Sequence, residues 1–120
     1  MTVQYLIVDD NRDFLEAARN LLEREGLTIA GVATTSVDAL RKAEMVRPDV
    51  VLVDVSLGDE SGFELAQRLV ANPAHEAKVI LISTRSEDEF ADAIAMSPAA
   101  GFLSKSELSA DAIRGFLDGS

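Results

Sequence analysis

The chain has 120 residues, no cysteine and no tryptophan; 48% of it is hydrophobic and 27% charged. That length allows one compact domain, which buries about two-thirds of its unfolded surface without a staple, and zero cysteine excludes disulfides, thiolate metal sites and a cysteine nucleophile. With 11 Lys and Arg against 21 Asp and Glu, the net charge of −10 excludes a basic face for nucleic acid and disfavours anionic membranes.

Val3 to Val8 is a continuous apolar run bounded by Asp9, as expected of a strand covered on both faces. A helix follows from about Asn11 to Glu25, with Phe14, Leu15, Ala18, Leu21 and Leu22 on one stripe and Gly26 placed to end it. Thr28 to Ala33 reads as a second strand, weakened by Gly31. Ser36 or Thr35 caps a second helix to about Val46, its stripe set by Val37, Leu40 and Ala43 or Glu44; Arg47-Pro48 breaks it. Val50 to Val53 is a third buried strand ending at Asp54. The stretch from Ser56 to Gly62 holds two glycines and reads as a loop, and a third helix runs from about Phe63 to Ala71, before Asn72-Pro73. Val79 to Ile82 is strand four. Ser86 with Glu89 forms a capping-box pattern for a fourth helix ending near Met96. Gly101 to Ser104 is a short fifth strand, and Ser109 opens a last helix through about Phe116.

Apolar strands alternating with helices predict a parallel sheet with helices on both faces, a three-layer α/β domain. None of its apolar runs could span a bilayer, and the N-terminus lacks the basic region of a signal peptide. A soluble, cytoplasmic domain is therefore expected. His75, in a polar Asn-Pro-Ala-His-Glu stretch, reads as a solvated loop residue.

Open α/β sheets bind ligands at the carboxyl ends of their strands. Here those ends carry Asp9-Asp10, Asp54, Ser83-Thr84 and Lys105. Taken singly, each has an ordinary explanation. Asp9-Asp10 could be a capping turn, Asp54 an exposed loop acid, Ser83 a turn-closing hydroxyl and Lys105 a solvated surface charge. Together they are harder to explain that way. Three carboxylates at one edge repel, no capping role needs that, and a hard divalent cation such as Mg²⁺ resolves it.

These five positions, with the strings LIVDDN, VLVDVSLGDESGFEL, VILIST and GFLSKSEL, resemble the receiver domain of bacterial two-component response regulators from Tyr5 to Leu117. The resemblance implies a flavodoxin-like (βα)5 receiver fold over residues 1–120, with its five-stranded parallel sheet in the order 2-1-3-4-5. It implies a phosphoacceptor signalling domain rather than an enzyme, one that catalyses only its own phosphorylation and dephosphorylation. Asp54 would accept a phosphoryl group from a histidine kinase, a phosphotransfer protein or a small phosphodonor. Asp10, Asp54 and the backbone carbonyl of Ser56 would hold Mg²⁺, with Asp9 acting through metal-bound water. Lys105 would contact a phosphoryl oxygen, and Ser83 would be the switch hydroxyl in preference to Thr84. Phe102 would be the switch aromatic. The surface of the fourth helix, fifth strand and fifth helix would be the output or homodimer face. The GFLSKSEL string also resembles regulators that carry a helix-turn-helix output domain.

Three positions depart from the family pattern. Ser106 stands where proline commonly follows the lysine, leaving that peptide without the residue that favours a cis bond. Leu57-Gly58 replaces the frequent Met-Pro, implying a change in loop stiffness, and Phe102 replaces a more frequent tyrosine. Ser56 and Arg85, two residues beyond Asp54 and Ser83, are placed to tune the lifetime of the phosphate. Competing readings fare worse. A haloacid dehalogenase-type phosphatase wants a second acid two residues after the nucleophile, where Ser56 stands. A flavin binder wants a phosphate loop that Asp9, Asp10 and Asp13 would repel. A phosphorylation-independent interaction module would not need all five residues.

Overall fold

In the computed structural model, which describes residues 2–72 and 77–117, the strands are β1 (Gln4–Val8), β2 (Thr28–Ala33), β3 (Val50–Asp54), β4 (Lys78–Ser83) and β5 (Gly101–Ser104). The helices are α1 (Arg12–Arg24), α2 (Ser36–Val46), α3 (Gly62–Ala71), α4 (Ala91–Met96) and α5 (Ala110–Leu117). All five strands pair in parallel in the order β2-β1-β3-β4-β5, as expected. His75 lies outside the described residues. Among those described, no helix is long and apolar enough to cross a membrane.

The continuous apolar runs are explained by burial on both faces of the sheet. Leu6, Val8, Val51, Val53, Val79 and Leu81 pack with Ala39, Ala43, Leu65 and Leu69 of α2 and α3 on one side. Tyr5, Ile7, Val50, Leu52, Ile80 and Ile82 pack with Leu15, Leu22 and Ile113 of α1 and α5 on the other. The alternation along each strand divides one run between two cores. β2 runs unbroken through Gly31; the β1–β2 register shifts between Tyr5 and Leu6, where Ala30 is passed over and Gly31 pairs with Leu6.

Helix ends follow their chemistry, with corrections. Asn11 is the N-cap of α1, its side chain accepting the Phe14 N–H, and Thr35 rather than Ser36 caps α2. Arg47, at φ 49°, terminates α2 ahead of Pro48 as expected. The expected stripe of α2 is turned, however. Val37 is 73% exposed while Ser36, Ala39 and Ala43 face inward with Leu40 half-buried, because small residues let the helix lie close to the sheet. The Ser56–Gly62 stretch is more than a loop: Ser56–Leu57 and Glu60–Ser61 form a two-residue antiparallel hairpin that turns through Gly58 at φ +64°. The capping box at Ser86 does not form. The chain enters a 3-10 turn at Glu87–Phe90, Ser86 makes no side-chain cap, and the Glu89 carboxylate pairs instead with Arg85 at 3.9 Å. Only six residues of regular helix remain in α4. Ser109 does open α5, its Oγ accepting the Ala112 N–H at 3.0 Å.

Two glycines permit contacts no other residue would. A Cβ on Gly62 would lie 1.9 Å from the carbonyl oxygen of Asp54, and one on Gly101 would lie 2.3 Å from the ring of Phe116. The first lets α3 begin directly beside the end of β3. The second lets α5 lay an aromatic ring on the backbone of β5.

Candidate functional site

β1, β3, β4 and β5 are neighbours in the sheet, so their carboxyl ends open onto one place. A cavity of about 440 Å³ lies there, lined by Asp9, Asp10, Asp54, Ser56, Ser83, Thr84 and Lys105, and also by Asn11, Gly58, Arg85 and Phe90. The sequence-selected residues are thus brought together, except Phe102, which does not line this cavity.

Asp9 is fully buried. Its Oδ1 accepts the Asn11 N–H at 2.9 Å, while Oδ2 accepts no well-formed hydrogen bond from any described residue and faces the Lys105 Nζ at 2.5 Å as an ion pair. Asp54 is also buried. Its Oδ1 accepts the Ser56 N–H at 3.0 Å, and its Oδ2 lies 2.9 Å from Lys105 Nζ. The Lys105 side chain is only 12% exposed, which removes the surface-charge explanation. Asp10 is exposed at the rim, and Asn11, not either aspartate, caps α1. Asp9 nevertheless closes the turn before α1 through the Asn11 N–H, so its turn role is real while the helix cap belongs to Asn11. Ser83 is buried with its Oγ accepting the Arg85 N–H at 3.0 Å, so its turn-closing role is real, whereas Thr84 is exposed. Phe102 is buried in a row with Phe90 and Phe63, at centroid distances of 6.3 and 5.9 Å. No peptide bond among the described residues is cis, so Lys105–Ser106 is trans.

The electrostatics follow from this enclosure. Burial raises the pKa of the Asp9 carboxyl first of all, and the charge of Asp54 adds to the rise against the opposing Lys105 ammonium and Asn11 N–H. Desolvation, more than the repulsion expected from sequence, is therefore the leading cause. For Lys105, burial alone would lower the pKa, but the two carboxylates it contacts outweigh that and raise it.

One oxygen from each of Asp9, Asp10 and Asp54 lies within 4.8 Å of the others. Such an all-oxygen, anionic donor set fits a hard cation of the Mg²⁺ type.

Sequence reasoning assigned Phe14 to the core, yet its ring lies under the ammonium of Lys105, 4.2 Å from Nζ to the centroid. Gly62 and Phe90 were also missed. Asn11 was legible as a cap-type residue immediately before a periodic run. Nothing in the spacing alone marked Phe90 as lining the cavity.

Residues 5–115 match the family model described as the response regulator receiver domain. The response regulator GacA of Pseudomonas aeruginosa is 32% identical over 105 residues, which are 86% of this chain and 48% of that protein. The chain spans about half the length of the curated relatives it matches. The signal receiver domain of the response regulator NarL from Mycobacterium tuberculosis superposes with a TM-score of 0.84 at 26% identity, covering 98% of this chain and 95% of that one. A response regulator from Burkholderia pseudomallei, solved with a phosphorylated aspartic acid, a calcium ion and citrate, gives 0.78 at 25% identity, over 96% and 66%.

Proposed function

The chain belongs to the response regulator receiver domains, which makes it a phosphoacceptor signalling domain, and on that premise we propose that Asp54 is the acceptor and that Asp9, Asp10, Lys105 and Ser83 serve it. The observation that carries this reading is the ion pair of Lys105 Nζ with the buried Asp54 Oδ2 at 2.9 Å, inside the acidic cavity. In the forward step an Asp54 oxygen attacks the phosphorus of an N-phosphohistidine. The new O–P bond forms as the N–P bond breaks, and the imidazole leaves. Dephosphorylation is a separate step: water attacks phosphorus, the O–P bond to Asp54 breaks, inorganic phosphate departs and the carboxylate is restored.

Asp10, Asp54 and the Ser56 carbonyl would hold Mg²⁺, with Asp9 acting through water. When bound, that cation supplies positive charge against the acids and the phosphoryl oxygens. The chain's own residues do the rest. The Ser56 N–H fixes the orientation of the Asp54 carboxylate. Lys105, steadied by the ring of Phe14, offers its ammonium to a phosphoryl oxygen. Ser83 accepts a hydrogen bond from Arg85 in this state and keeps its own O–H to donate, so turning it to a phosphoryl oxygen draws on the Thr84-Arg85 segment. Phe102, packed against Phe90, would relay that movement to the α4-β5-α5 face.

A sensor histidine kinase or phosphotransfer protein is the proposed donor in the cytoplasm, with the α4-β5-α5 face as output or homodimer surface. A helix-turn-helix output domain in the full-length protein is consistent with the longer response regulators this chain resembles. The domain itself carries net charge −10 and should not bind DNA. With Mg²⁺ and acetyl phosphate, intact-mass analysis should find one added, hydroxylamine-labile phosphoryl group, absent from Asp54→Asn. Equal labelling of that variant would overturn the assignment.

A further inference from the structure

Glu60 plays no part in the chemistry above, yet its carboxylate makes a contact that spans 24 residues. Its Oε1 accepts the backbone N–H of Ser36 at 3.0 Å. Ser36 is the first residue of α2, and its N–H is one of the donors a helix N-terminus leaves without an internal partner. The positive end of the helix favours a carboxylate there.

Glu60 sits on the hairpin that walls the acidic cavity, paired with Leu57 across the turn. The base of that hairpin is fixed, through Ser56 N–H to Asp54 Oδ1 and Gly62 N–H to the Val55 carbonyl, both at 3.0 Å. Its tip turns through Gly58, a residue that contributes no stiffness of its own. Gly58 nevertheless stands against the metal-side acid: a Cβ there would lie 3.7 Å from Asp10 Oδ2. Beside that tip, Glu60 joins the hairpin to an element outside it through its hydrogen bond to Ser36.

We propose that Glu60 is a positioning residue for the divalent cation, holding the Ser56–Gly58 wall at binding distance from Asp10 by anchoring it to the start of α2. The inference rests on the Mg²⁺ reading given above. It assigns the stiffness missing from Leu57-Gly58 to a contact made elsewhere in the fold.

Calorimetric titration of the whole chain with Mg²⁺, and phosphorylation by acetyl phosphate at saturating Mg²⁺, test it. Glu60→Ala should weaken Mg²⁺ binding roughly tenfold, the low end for loss of a group supporting metal ligands. The rate at saturating Mg²⁺ should stay within about twofold, since ground-state binding is what is lost. Glu60→Gln, whose amide oxygen accepts the same hydrogen bond, should restore the affinity. Ser36→Pro deletes the donor at a position where proline suits a helix, and Thr35 before it is already extended at φ −134°, ψ 162°. It should reproduce the loss, and the double variant should be no worse than either single one. Unchanged Mg²⁺ affinity in Glu60→Ala and Ser36→Pro, with only a lower melting temperature, would make Glu60 a helix cap and nothing more. A loss in Glu60→Ala alone, or no rescue by Gln, would replace the tether with bulk charge and equally overturn the proposal. A wild-type chain that neither binds Mg²⁺ nor labels at Asp54 would remove the underlying reading as well, a result distinct from all of these.

Discussion

The chain leaves β3 and β4 from adjacent strand ends and treats the two exits differently. After β3, the segment to Gly62 is tied by the Ser56 and Gly62 N–H groups, by Glu60 to α2 and by the Ser61 cap on Glu64 N–H. After β4, no residue from Glu87 to Met96 is buried, and neither the 3-10 turn nor α4 has a side-chain cap. Phe90 and Ile94, both half-buried, are its apolar anchors on the core. Segments with little buried apolar surface open at low free energy. On the function proposed for Asp54 and Ser83, the contrast separates holding the acceptor from answering it. The first needs fixed atoms; the second needs a segment that can be moved by one hydroxyl.

The contrast should be most visible in Gly62→Ala. With Asp54 O only 1.9 Å from the new Cβ, backbone must shift, and the cost should be about 3 kcal/mol, read by urea denaturation. A loss below about 1 kcal/mol would show the stiff exit to be softer than argued. Next in size is Mg²⁺, which should stabilise the fold by about 2.7 kcal/mol at a hundredfold excess over Kd. Slowed amide exchange should appear around Asp54 to Gly62 and not in Glu87 to Met96. Asp10→Asn should stabilise the metal-free protein, by removing a like charge, and shrink that increment. The opposite signs would return Asp10 to a structural role. Ala93→Gly, on exposed α4, should cost about 1 kcal/mol at most, the helix-propensity difference alone, and should accelerate exchange only locally. Global destabilisation by this change would mean that α4 is integral to the core.

The smallest effect lies on α2, the anchor of the stiff exit. Hydrogen bonds from Arg41 and then Lys42 hold the Asp38 carboxyl below its ordinary 3.8. A lowered folded-state pKa gives stability that is present above 3.8 and lost as pH falls through the folded value. The wild type should therefore exceed Asp38→Asn in melting temperature near neutrality, with the gap closing in acid and under high salt. A gap that widens in acid would reverse the sign assigned here.

The strands were legible because a sheet buried on both faces writes itself as unbroken apolar runs, and Val50 to Val53 could be little else. The strand-end residues were legible for the same reason, since Asp9, Asp54 and Ser83 follow directly on such runs and Asp10 and Lys105 lie one residue beyond. The turned face of α2 was not. Val37 is the more hydrophobic choice, but Ala39 and Ala43 allow the closer approach, and closeness is a property of the partner surface. Ser86 with Glu89 failed as a capping box: the chain enters a 3-10 turn there, Ser86 makes no side-chain cap and the Glu89 carboxylate faces Arg85. Phe14 served two functions with one side chain, and periodicity reports only the core-facing one.

The ring of Phe116 on the backbone of Gly101 has a consequence for how this sequence can drift. A Cβ at 101 meets three ring carbons between 2.3 and 2.7 Å away, so a substitution there must displace the Phe116 ring or follow a smaller residue at 116. The reverse order carries no such barrier: Phe116→Leu opens space that Gly101→Ala can then fill. Sequences on either side of that pair of changes are joined by a path that is easier in one order than in the other, and the two positions should be inherited as a couple.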